Sequence, residues 1–281
     1  RSSGIVSFFT MLSRLMGLAR DIVFARVIGA DAFADVFFVA FKIPNFFRRL
    51  FAEGAFAQAF VPVLGEYREK GSEAAVRGLV DRVSGTLGLT LLIFTLVVIL
   101  SAPLLAGLFA PRWFLEAPIK FAATTEMLRI TFPYLLFISM TGVAGGVLNS
   151  YDRFAVPAFT PVLLNTSLIC AALFAAPLFQ QPAFALAWGV LIAGIVQFIF
   201  QLPFLYRIHM LPTPVVDWQD SGVRKILLLM GPAIFGVSVS QINLLLDTML
   251  ATFLPTGSVS WLYYSDRLSE LPLGGFGVAI A

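Results

Sequence analysis

The sequence predicts an all-α protein that crosses a membrane several times. Hydrophobic residues make up 59% of its 281 residues, whereas charged residues make up only 12%. A soluble domain of ordinary composition carries roughly 25% charged residues. Apolar stretches close to 20 residues recur along the chain, and each is long enough to cross a bilayer as a helix. This pattern predicts a polytopic helical membrane protein.

Eight spans can be placed along the chain. Most connections between them are short, so that successive helices are expected to be antiparallel neighbours. The two longer connections cover residues 66–82 and 207–225. The predicted spans are 4–29, 33–64, 79–109, 122–149, 156–177, 183–206, 223–254 and 258–281.

Basic residues are unevenly divided between the two sides of the predicted bundle. The side opposite the amino terminus holds only Arg112 and Lys120. Because cytoplasmic connections carry the excess of Lys and Arg, the amino terminus is expected in the cytoplasm. The basic residues on that side are Arg68, Lys70, Arg77, Arg82, Arg153, Arg207, Arg224 and Lys225.

The chain is expected to be the amino-terminal portion of a longer transporter. It begins at Arg1 rather than Met, and it stops inside the apolar run GGFGVAIA. Residues 1–210 would form one lobe with spans 1–6, and residues 211–281 would begin a second lobe with spans 7 and 8. No pattern of a cleavable signal peptide is recognisable.

Several functional classes are disfavoured by the composition. The single cysteine, Cys170, can form no internal disulfide and no CxxC metal pair, and it is expected to be a small buried residue. Basic residues do not alternate with aromatic ones on a polar surface, so no nucleic-acid partner is expected. No nucleophile with its base and no Walker-type phosphate loop is apparent, so the chain is not predicted to be an enzyme, and no cofactor or metal is expected.

The second span carries a run of charges, KIPNFFRRLFAEGAF, at residues 42–56. At 100° per residue, the polar residues of this span fall within about 80° of one another on one helix face. Pro44 should kink the helix and free a backbone carbonyl, which a cavity or a neighbouring helix must satisfy. The residues on this face are Asp35, Lys42, Asn45, Arg49 and Glu53, with Arg48 widening it on one side.

The first span adds deep charges that acids within the two spans cannot balance. A charge in mid-membrane costs at least about 2.5–3.5 kcal/mol. Ion pairing is one explanation, through Arg49 and Glu53 or through Asp21 and a nearby arginine. The two spans nevertheless hold six cations against three acids, and one cation, Arg26, is near enough to the end to snorkel. The remaining excess predicts a bound anion, for which the planar guanidinium of arginine suits phosphate or carboxylate. The six cations are Arg14, Arg20, Arg26, Lys42, Arg48 and Arg49, and the three acids are Asp21, Asp35 and Glu53.

Two later spans carry a second polar stripe. Spans 3–6 have few such groups, so the polar lining is expected to come mostly from spans 1, 2, 7 and 8. When the sequence is aligned with itself at an offset of 225 residues, Asp35 aligns with Ser260, Lys42 with Arg267 and Asn45 with Glu270. This match predicts a parallel repeat with a substrate site between the two halves. The stripe consists of Ser240, Asn243 and Asp247 in span 7 and Ser260, Tyr263, Tyr264, Arg267 and Glu270 in span 8.

The segments LSRLMGLARD (12–21), DVFFVAFKIPNFFRRLFAEGAFAQAFVPVL (35–64) and GSVSWLYYSDRLSELP (257–272) resemble the MurJ (MviN) lipid II flippases. That family belongs to the multidrug/oligosaccharidyl-lipid/polysaccharide (MOP) exporter superfamily, and the similarity runs through the whole chain. The resemblance implies a two-lobe bundle of fourteen helices, about eight of them present here. It also implies alternating access around a central cavity for the disaccharide-peptide pyrophosphate headgroup of lipid II.

The resemblance also implies roles for individual residues. Arg20, Arg48 and Arg267 are expected to hold the pyrophosphate, within a substrate-binding set of Arg14, Arg20, Asp21, Arg48 and Arg267. Cavity lining or gating is expected of Asp35, Lys42, Arg49, Glu53, Ser260 and Glu270. The expected partners are lipid II and membrane lipids, with cell-wall synthesis proteins as further candidates, in the bacterial cytoplasmic (inner) membrane. The energy source is left open between the membrane potential, H⁺ or Na⁺ and lipid II supply; Asp247, Asp35 and Glu53 are candidates for ion coupling.

Three other functions remain open on the sequence. An ion-coupled exporter of drugs or other lipid-linked sugars would share the fold, although a cation exporter should hold acids in its cavity. A membrane scaffold for cell-wall enzymes would not need deep arginines. A membrane-bound phosphotransferase would need a metal or base constellation, which the sequence does not show.

Overall fold

The computed structural model describes the backbone of residues 2–280 and the side chains of residues 4–51, 55–239 and 241–269. This part of the chain is a bundle of helices and contains no β-strand, which confirms the predicted all-α class. The side chains of Glu53, Ser240 and Glu270, to which the sequence assigned roles in the polar lining, lie outside the described residues.

Helices occupy all eight predicted spans. The second is one continuous helix with a π-helical stretch, here called the π segment, between α2 and α3, whereas the third and fourth are broken into shorter helices. The bounds are α1 Ser2–Val27, α2 Ala32–Phe47, the π segment Arg48–Ala55, α3 Phe56–Lys70, α4 Glu73–Leu100, α5 Ala102–Phe109, α6 Pro111–Glu116, α7 Pro118–Thr131, α8 Tyr134–Ser150, α9 Ala155–Cys170, α10 Pro182–Arg207, α11 Ser221–Ala251 and α12 Ser258–Ile280.

The chain is a multi-pass membrane protein. In the part that the structure describes, five helical stretches are long and apolar enough to cross a membrane: Glu73–Leu100, Pro118–Ser150, Ala155–Leu178, Pro182–Arg207 and Ser221–Val239. Span 2 carries more charged residues than any of these five stretches.

Side-chain caps define where several helices begin. Asp31 Oδ1 accepts a hydrogen bond from the Ala34 amide at 2.7 Å and starts α2. Asp220 Oδ1 accepts from the amides of Gly222 and Val223 and starts α11. Both acids stand at the cap position, where a side-chain oxygen satisfies amides that have no partner within the helix.

The helices pack around two apolar clusters. One cluster surrounds α2 and α7 and includes Phe37, Phe38 and Phe132; the other lies between α3, α4 and α8 and includes Phe60 and Leu79. Helix α1 packs on α9, while α10 packs on α8 and α9. Helix α11 packs against the π segment and α3. This arrangement leaves the polar faces of α1, α2 and α12 directed toward a common interior.

The carbonyl freed by Pro44 is satisfied by a neighbouring helix, as the sequence predicted. Pro44 has no amide hydrogen, so the carbonyl of Ala40, four residues earlier, loses its usual helical partner. The Thr131 hydroxyl of α7 donates to this carbonyl at 3.0 Å, and Thr131 is fully buried. The proline therefore ties α2 to α7 at this point.

The connection between α10 and α11 is bound to α4 rather than loose. The Thr213 amide donates to Asp81 Oδ1 at 2.7 Å, and the Val215 amide donates to the Asp81 carbonyl at 3.0 Å. A Cβ atom on Gly85 would lie 2.3 Å from the carbonyl oxygen of Val215, so only glycine permits this approach. Residues 208–220, here called the strap, are therefore attached to α4.

The expectation that Cys170 is buried is wrong. Cys170 ends α9 and is exposed in this structure. The helix continues past Cys170 as a π-helical turn, Ala171–Ala175, and the thiol lies on a part of its surface that the rest of the bundle leaves uncovered.

Candidate functional site

A cavity of about 920 Å³ lies in the interior of the bundle. Helices α1, α8, α9 and α10 provide most of its wall, and the π segment, α3 and α12 complete it. All five residues predicted to bind substrate line this cavity. Among the side chains that the structure describes there, four are arginines and one is an acid: Arg14, Arg20, Arg48, Arg267 and Asp21.

Arg20 and Asp21 form a buried ion pair on α1. Asp21 Oδ1 accepts from Arg20 Nε at 2.9 Å and from Arg20 Nη2 at 2.7 Å. Arg20 is 4% exposed and also donates to Asn165 Oδ1 on α9 and to the Tyr263 hydroxyl on α12. The pairing that the sequence left open for Asp21 is therefore with Arg20. These bonds orient the guanidinium at the meeting point of three helices.

The other arginines are more accessible. Arg48 begins the π segment, and its Nε donates to Asn45 Oδ1 at 3.0 Å. Arg267 Nε lies 3.8 Å from Asp21 Oδ2, and its guanidinium lies over the Tyr263 ring. Arg14 is exposed. With one acid against four arginines among the described lining residues, the wall carries excess positive charge, which attracts an anion in a low-dielectric interior.

A smaller gap of about 120 Å³ adjoins this region between α2, α11 and α12. Lys42 and Arg49 line it together with Asp266. Lys42 Nζ donates to Thr248 Oγ1 at 2.8 Å and lies 3.8 Å from Asp266 Oδ2. The π segment brings both Arg48 and Arg49 to this gap, and π-helical turns often mark functional sites. The polar face predicted for span 2 is thus directed toward the second half of the chain.

Asp35 holds together the amino-terminal ends of α2 and α12. Asp35 is 1% exposed, and Oδ1 accepts from both the amide and the hydroxyl of Ser260, at 2.9 and 2.7 Å. Its Oδ2 accepts from the Gly257 amide at 2.7 Å and from Lys120 Nζ at 3.4 Å. Gly257 has φ +98°, and a Cβ there would lie 2.9 Å from the Ala30 carbonyl oxygen, so glycine is required.

Two cations of the connection between spans 3 and 4 reinforce this end. Lys120 Nζ also donates to Thr256 Oγ1 at 3.2 Å, and Arg112 Nη1 donates to the Phe253 carbonyl. Both were visible in the sequence only as isolated basic residues on the less basic side. Their contacts reach across to the turn between α11 and α12. The two halves of the chain are therefore joined by several polar contacts at this end of the cavity.

Asp247, a candidate for ion coupling, is exposed on α11. Across the described side chains, no group of three or more His, Cys, Asp and Glu is arranged to hold a metal ion.

The expectation that polar lining comes mostly from spans 1, 2, 7 and 8 is wrong for span 7: the described charged residues of the wall come from spans 1, 2 and 8, whereas α11 lines only the adjoining gap, through Gln241. Helices α8, α9 and α10 provide about half of the cavity wall, and their contribution is neutral. This wall was not predicted from the sequence, because single amides and hydroxyls stand out little in apolar spans. Paired glutamines four residues apart in α10 were the available signal. The neutral polar residues of the wall are Thr141, Asn149, Thr160, Asn165, Gln197 and Gln201.

Comparison with known proteins gives consistent matches along the chain. The family described as "Lipid II flippase MurJ" matches residues 24–281. A protein of Vibrio cholerae named "Probable lipid II flippase MurJ" is 53% identical over 100% of this chain and 55% of its own length. A protein of Burkholderia cenocepacia named "Lipid II flippase MurJ" is 45% identical over 98% of this chain and 54% of its own length.

A solved structure shares the fold. It is titled "Lipid II flippase MurJ, inward closed conformation" and superposes with a TM-score of 0.79 at 28% identity. The match covers 96% of this chain and 55% of that one. The chain therefore spans about half the length of the curated relatives and of the solved structure that it matches.

Proposed function

Because the chain belongs to the lipid II flippase MurJ family, we propose that the full-length protein translocates lipid II across the bacterial cytoplasmic membrane. The lipid-linked peptidoglycan precursor would pass from the inner to the outer leaflet. The chain covers about half of its relatives' length, so this activity is proposed for the complete protein rather than for residues 1–281 alone.

The observation that carries this proposal is the positive wall of the 920 Å³ cavity. A pyrophosphate bears negative charge and offers several acceptor oxygens, which guanidinium groups bind by charge-assisted hydrogen bonds. Arg48 and Arg267 are the accessible members of the predicted clamp. Arg20 contributes its charge from a fixed position, since Asp21, Asn165 and Tyr263 already take most of its donors.

Alternating access is the transport mechanism that we propose, with the amino terminus in the cytoplasm. Asp35, Ser260 and Gly257 would then close the cavity on the outer side. Opening that side requires these contacts to break. Lys120 belongs to the first half of the chain, as Asp35 does. This cation can therefore remain paired with the Asp35 carboxylate when α12 moves away. No covalent bond of the substrate is broken in such a cycle, which makes the protein a transporter rather than an enzyme.

The energy for directional transport would come from the membrane potential or from a gradient of H⁺ or Na⁺. Asp247 is our candidate for cation coupling because its carboxylate is accessible on α11. Asp35 suits this role less, since its oxygens accept four hydrogen bonds in this structure. A transport rate that is independent of both pH and Na⁺ would exclude this coupling. Membrane lipids, and as further candidates cell-wall synthesis proteins, would be the other partners.

The proposal is tested in cells depleted of their own lipid II flippase. Lipid II exposed on the outer face is quantified with the full-length wild-type protein, with Arg48→Ala and with Arg224→Ala, at matched abundance in the membrane. Arg224 is an exposed arginine near the start of α11 and serves as the control. We expect exposure to fall at least about tenfold with Arg48→Ala only. Equal exposure in all three would remove Arg48 from the transport path and favour a scaffold or another substrate.

A further inference from the structure

Two buried glutamines of α10 line the cavity wall with side-chain carbonyl oxygens that are unpaired among the residues the structure describes. Gln197 is 2% exposed and Gln201 is 1% exposed. Gln197 Nε2 donates to the Thr160 carbonyl at 2.9 Å, and Gln201 Nε2 donates to Thr160 Oγ1 at 3.4 Å. Within the described residues, neither Oε1 atom has a hydrogen-bond partner. We call Thr160, Gln197 and Gln201 the amide patch.

The local fold of α9 prevents Thr160 from satisfying these oxygens. Pro161 follows Thr160 and has no amide hydrogen, so the carbonyl of Pro157, four residues before it, lacks its helical donor. The Thr160 hydroxyl donates its one hydrogen to that carbonyl. Thr160 therefore acts toward the two glutamines only as an acceptor. The glutamine N–H groups are held against α9, and the carbonyl oxygens are left without a donor.

Leaving both acceptors unsatisfied would be costly. A buried polar atom without a partner costs roughly 1–3 kcal/mol. The two glutamines are one helical turn apart and line the same cavity. Two unsatisfied acceptors therefore lie close together, and the free-energy cost of each adds to that of the other. A bound group that supplies hydrogen-bond donors would offset it.

The amide patch is offset along α9 from the residue that contacts Arg20. Along α9, Thr160 stands five residues before Asn165, the residue that accepts from Arg20. At 1.5 Å per residue this separation is about 7.5 Å along the helix. Helix α8 lines the same cavity with Gly142, Gly145 and Gly146. Gly145 packs closely on α9, since a Cβ there would lie 3.3 Å from Pro157 Cβ and 3.9 Å from Gln201 Nε2.

We propose that the amide patch binds the sugar portion of the substrate, through donation of sugar hydroxyl or acetamido N–H hydrogens to Gln197 Oε1 and Gln201 Oε1. The patch carries no charge, so it selects neutral donors rather than the pyrophosphate. Its distance from Arg20 places it beside, rather than on, the anion-binding end of the cavity. This inference rests on the proposed function, and it makes the two glutamines specificity-determining residues for the carbohydrate.

The test compares three ligands that share the anion and the polyprenyl tail: lipid II, a lipid II analogue that carries the disaccharide but no peptide, and undecaprenyl pyrophosphate. Purified full-length protein in nanodiscs is titrated with each of them. The variants are Gln197→Leu and Gln201→Leu, which keep similar volume but lack the amide. Thr166→Val is the control, because Thr166 is an exposed residue of α9 whose hydroxyl donates to the Val162 carbonyl of its own helix. Gln201→Asn, which keeps an amide but shortens its reach, provides a milder variant should leucine prevent folding.

We expect each glutamine variant to weaken binding of lipid II and of its peptide-free analogue about tenfold and to leave undecaprenyl pyrophosphate binding unchanged, whereas Thr166→Val changes none of the three. Equal weakening of all three ligands would overturn the inference, because the glutamines would then support the shape of the cavity rather than the sugar. Weaker binding of lipid II alone would overturn it in favour of the peptide, and no change with any ligand would also overturn it. Wild-type protein that binds none of the ligands would instead contradict the proposed function, so the two failures are distinguishable.

Discussion

Asp35 and Ser260 lie 225 residues apart in the chain, yet the Ser260 hydroxyl donates to Asp35 Oδ1 at 2.7 Å. The same interval of 225 residues aligns the two residues as counterparts in the sequence. Each stands in the first turn of its helix, Asp35 in α2 and Ser260 in α12. Counterparts in a parallel repeat meet where their helices approach the axis that relates the two halves. The contact is therefore what such an axis would produce at this end of the bundle.

Loss of the Asp35 carboxylate is expected to open the cavity at this end. Asp35→Ala removes the acceptor for both Ser260 and the Gly257 amide, so α12 loses its attachment to α2. A cysteine is placed at Leu268, which lines the cavity, with Cys170 changed to serine because it is exposed. The rate of labelling by a membrane-impermeant thiol reagent, added on the side where α2 begins, should rise several-fold. Glu116→Gln, an exposed acid paired with Arg112 nearby, is the control and should leave the rate unchanged.

Removal of Asp21 should destabilise the protein, and removal of Arg20 together with it should restore much of the loss. The pair is buried, and breaking a buried pair typically costs about 3–5 kcal/mol because a charge is left uncompensated. Thermal unfolding in detergent of Asp21→Ala, Arg20→Met and the double variant would measure this coupling. Additive losses in the double variant would mean that Arg20 and Asp21 stabilise the bundle independently.

The hydrogen bond from Thr131 to the Ala40 carbonyl should contribute to the stability of the protein mainly when residue 44 is proline. Thr131→Val removes the donor, and we expect a loss of roughly 1 kcal/mol, typical of side-chain hydrogen bonds between membrane helices. Pro44→Ala restores an amide to the helix, so Thr131→Val should cost less in that background. A double-mutant cycle by thermal unfolding measures the difference.

Thr125→Val is the control for that cycle, because the Thr125 hydroxyl donates to the Phe121 carbonyl of its own helix. Its effect should be the same with proline or alanine at residue 44. A Thr131→Val effect that is equally independent of residue 44 would contradict our account of the freed carbonyl.

Gly85→Ala should detach the strap from α4. The added Cβ would lie 2.3 Å from the Val215 carbonyl oxygen, a distance at which the strap must move away. Limited proteolysis of residues 208–220 should then become several-fold faster. Gly88→Ala is the control in the same helix, since a Cβ there would meet only Met140 Sδ at an ordinary 3.7 Å. Equal cleavage of both variants and wild type would show that the strap tolerates the Cβ.

Glu66, which follows the second predicted span, contacts Lys225 near the start of α11. Lys225 Nζ lies 2.8 and 2.6 Å from the two carboxylate oxygens, and this hydrogen bond, with the lysine charge, lowers the pKa of Glu66. A lowered pKa means that the contact contributes above the ordinary glutamate pKa and is lost as pH falls through the lowered value. Lys225→Ala should raise the pKa of Glu66 toward the ordinary value, as a ¹³C carboxyl titration of labelled glutamate would show. An unchanged pKa would mean that Lys225 does not hold the carboxylate in solution.

Much of the fold follows from local features of the chain. Span length, helix period and the acids that cap α2 and α11 are properties of short segments, which is why the eight spans and the all-α class could be predicted. The five substrate-binding candidates were carried over from the family resemblance; the structure places them around one cavity, and their binding of substrate stays a prediction. Pro44 likewise predicted a backbone carbonyl without its helical donor, although the sequence did not identify Thr131 as the group that donates to it.

The sequence by itself determined which helices form and where charge enters the membrane, because both depend on composition and periodicity within a span. Tertiary structure alone decided which groups pair across helices. Arg20 meets Asn165 and Tyr263, and the glutamines of α10 meet Thr160, only because α1, α9, α10 and α12 pack around one cavity. A hydrogen bond between helices depends on their rotation and separation to within about an ångström, since donors and acceptors must approach to about 3 Å. No local pattern specifies that geometry.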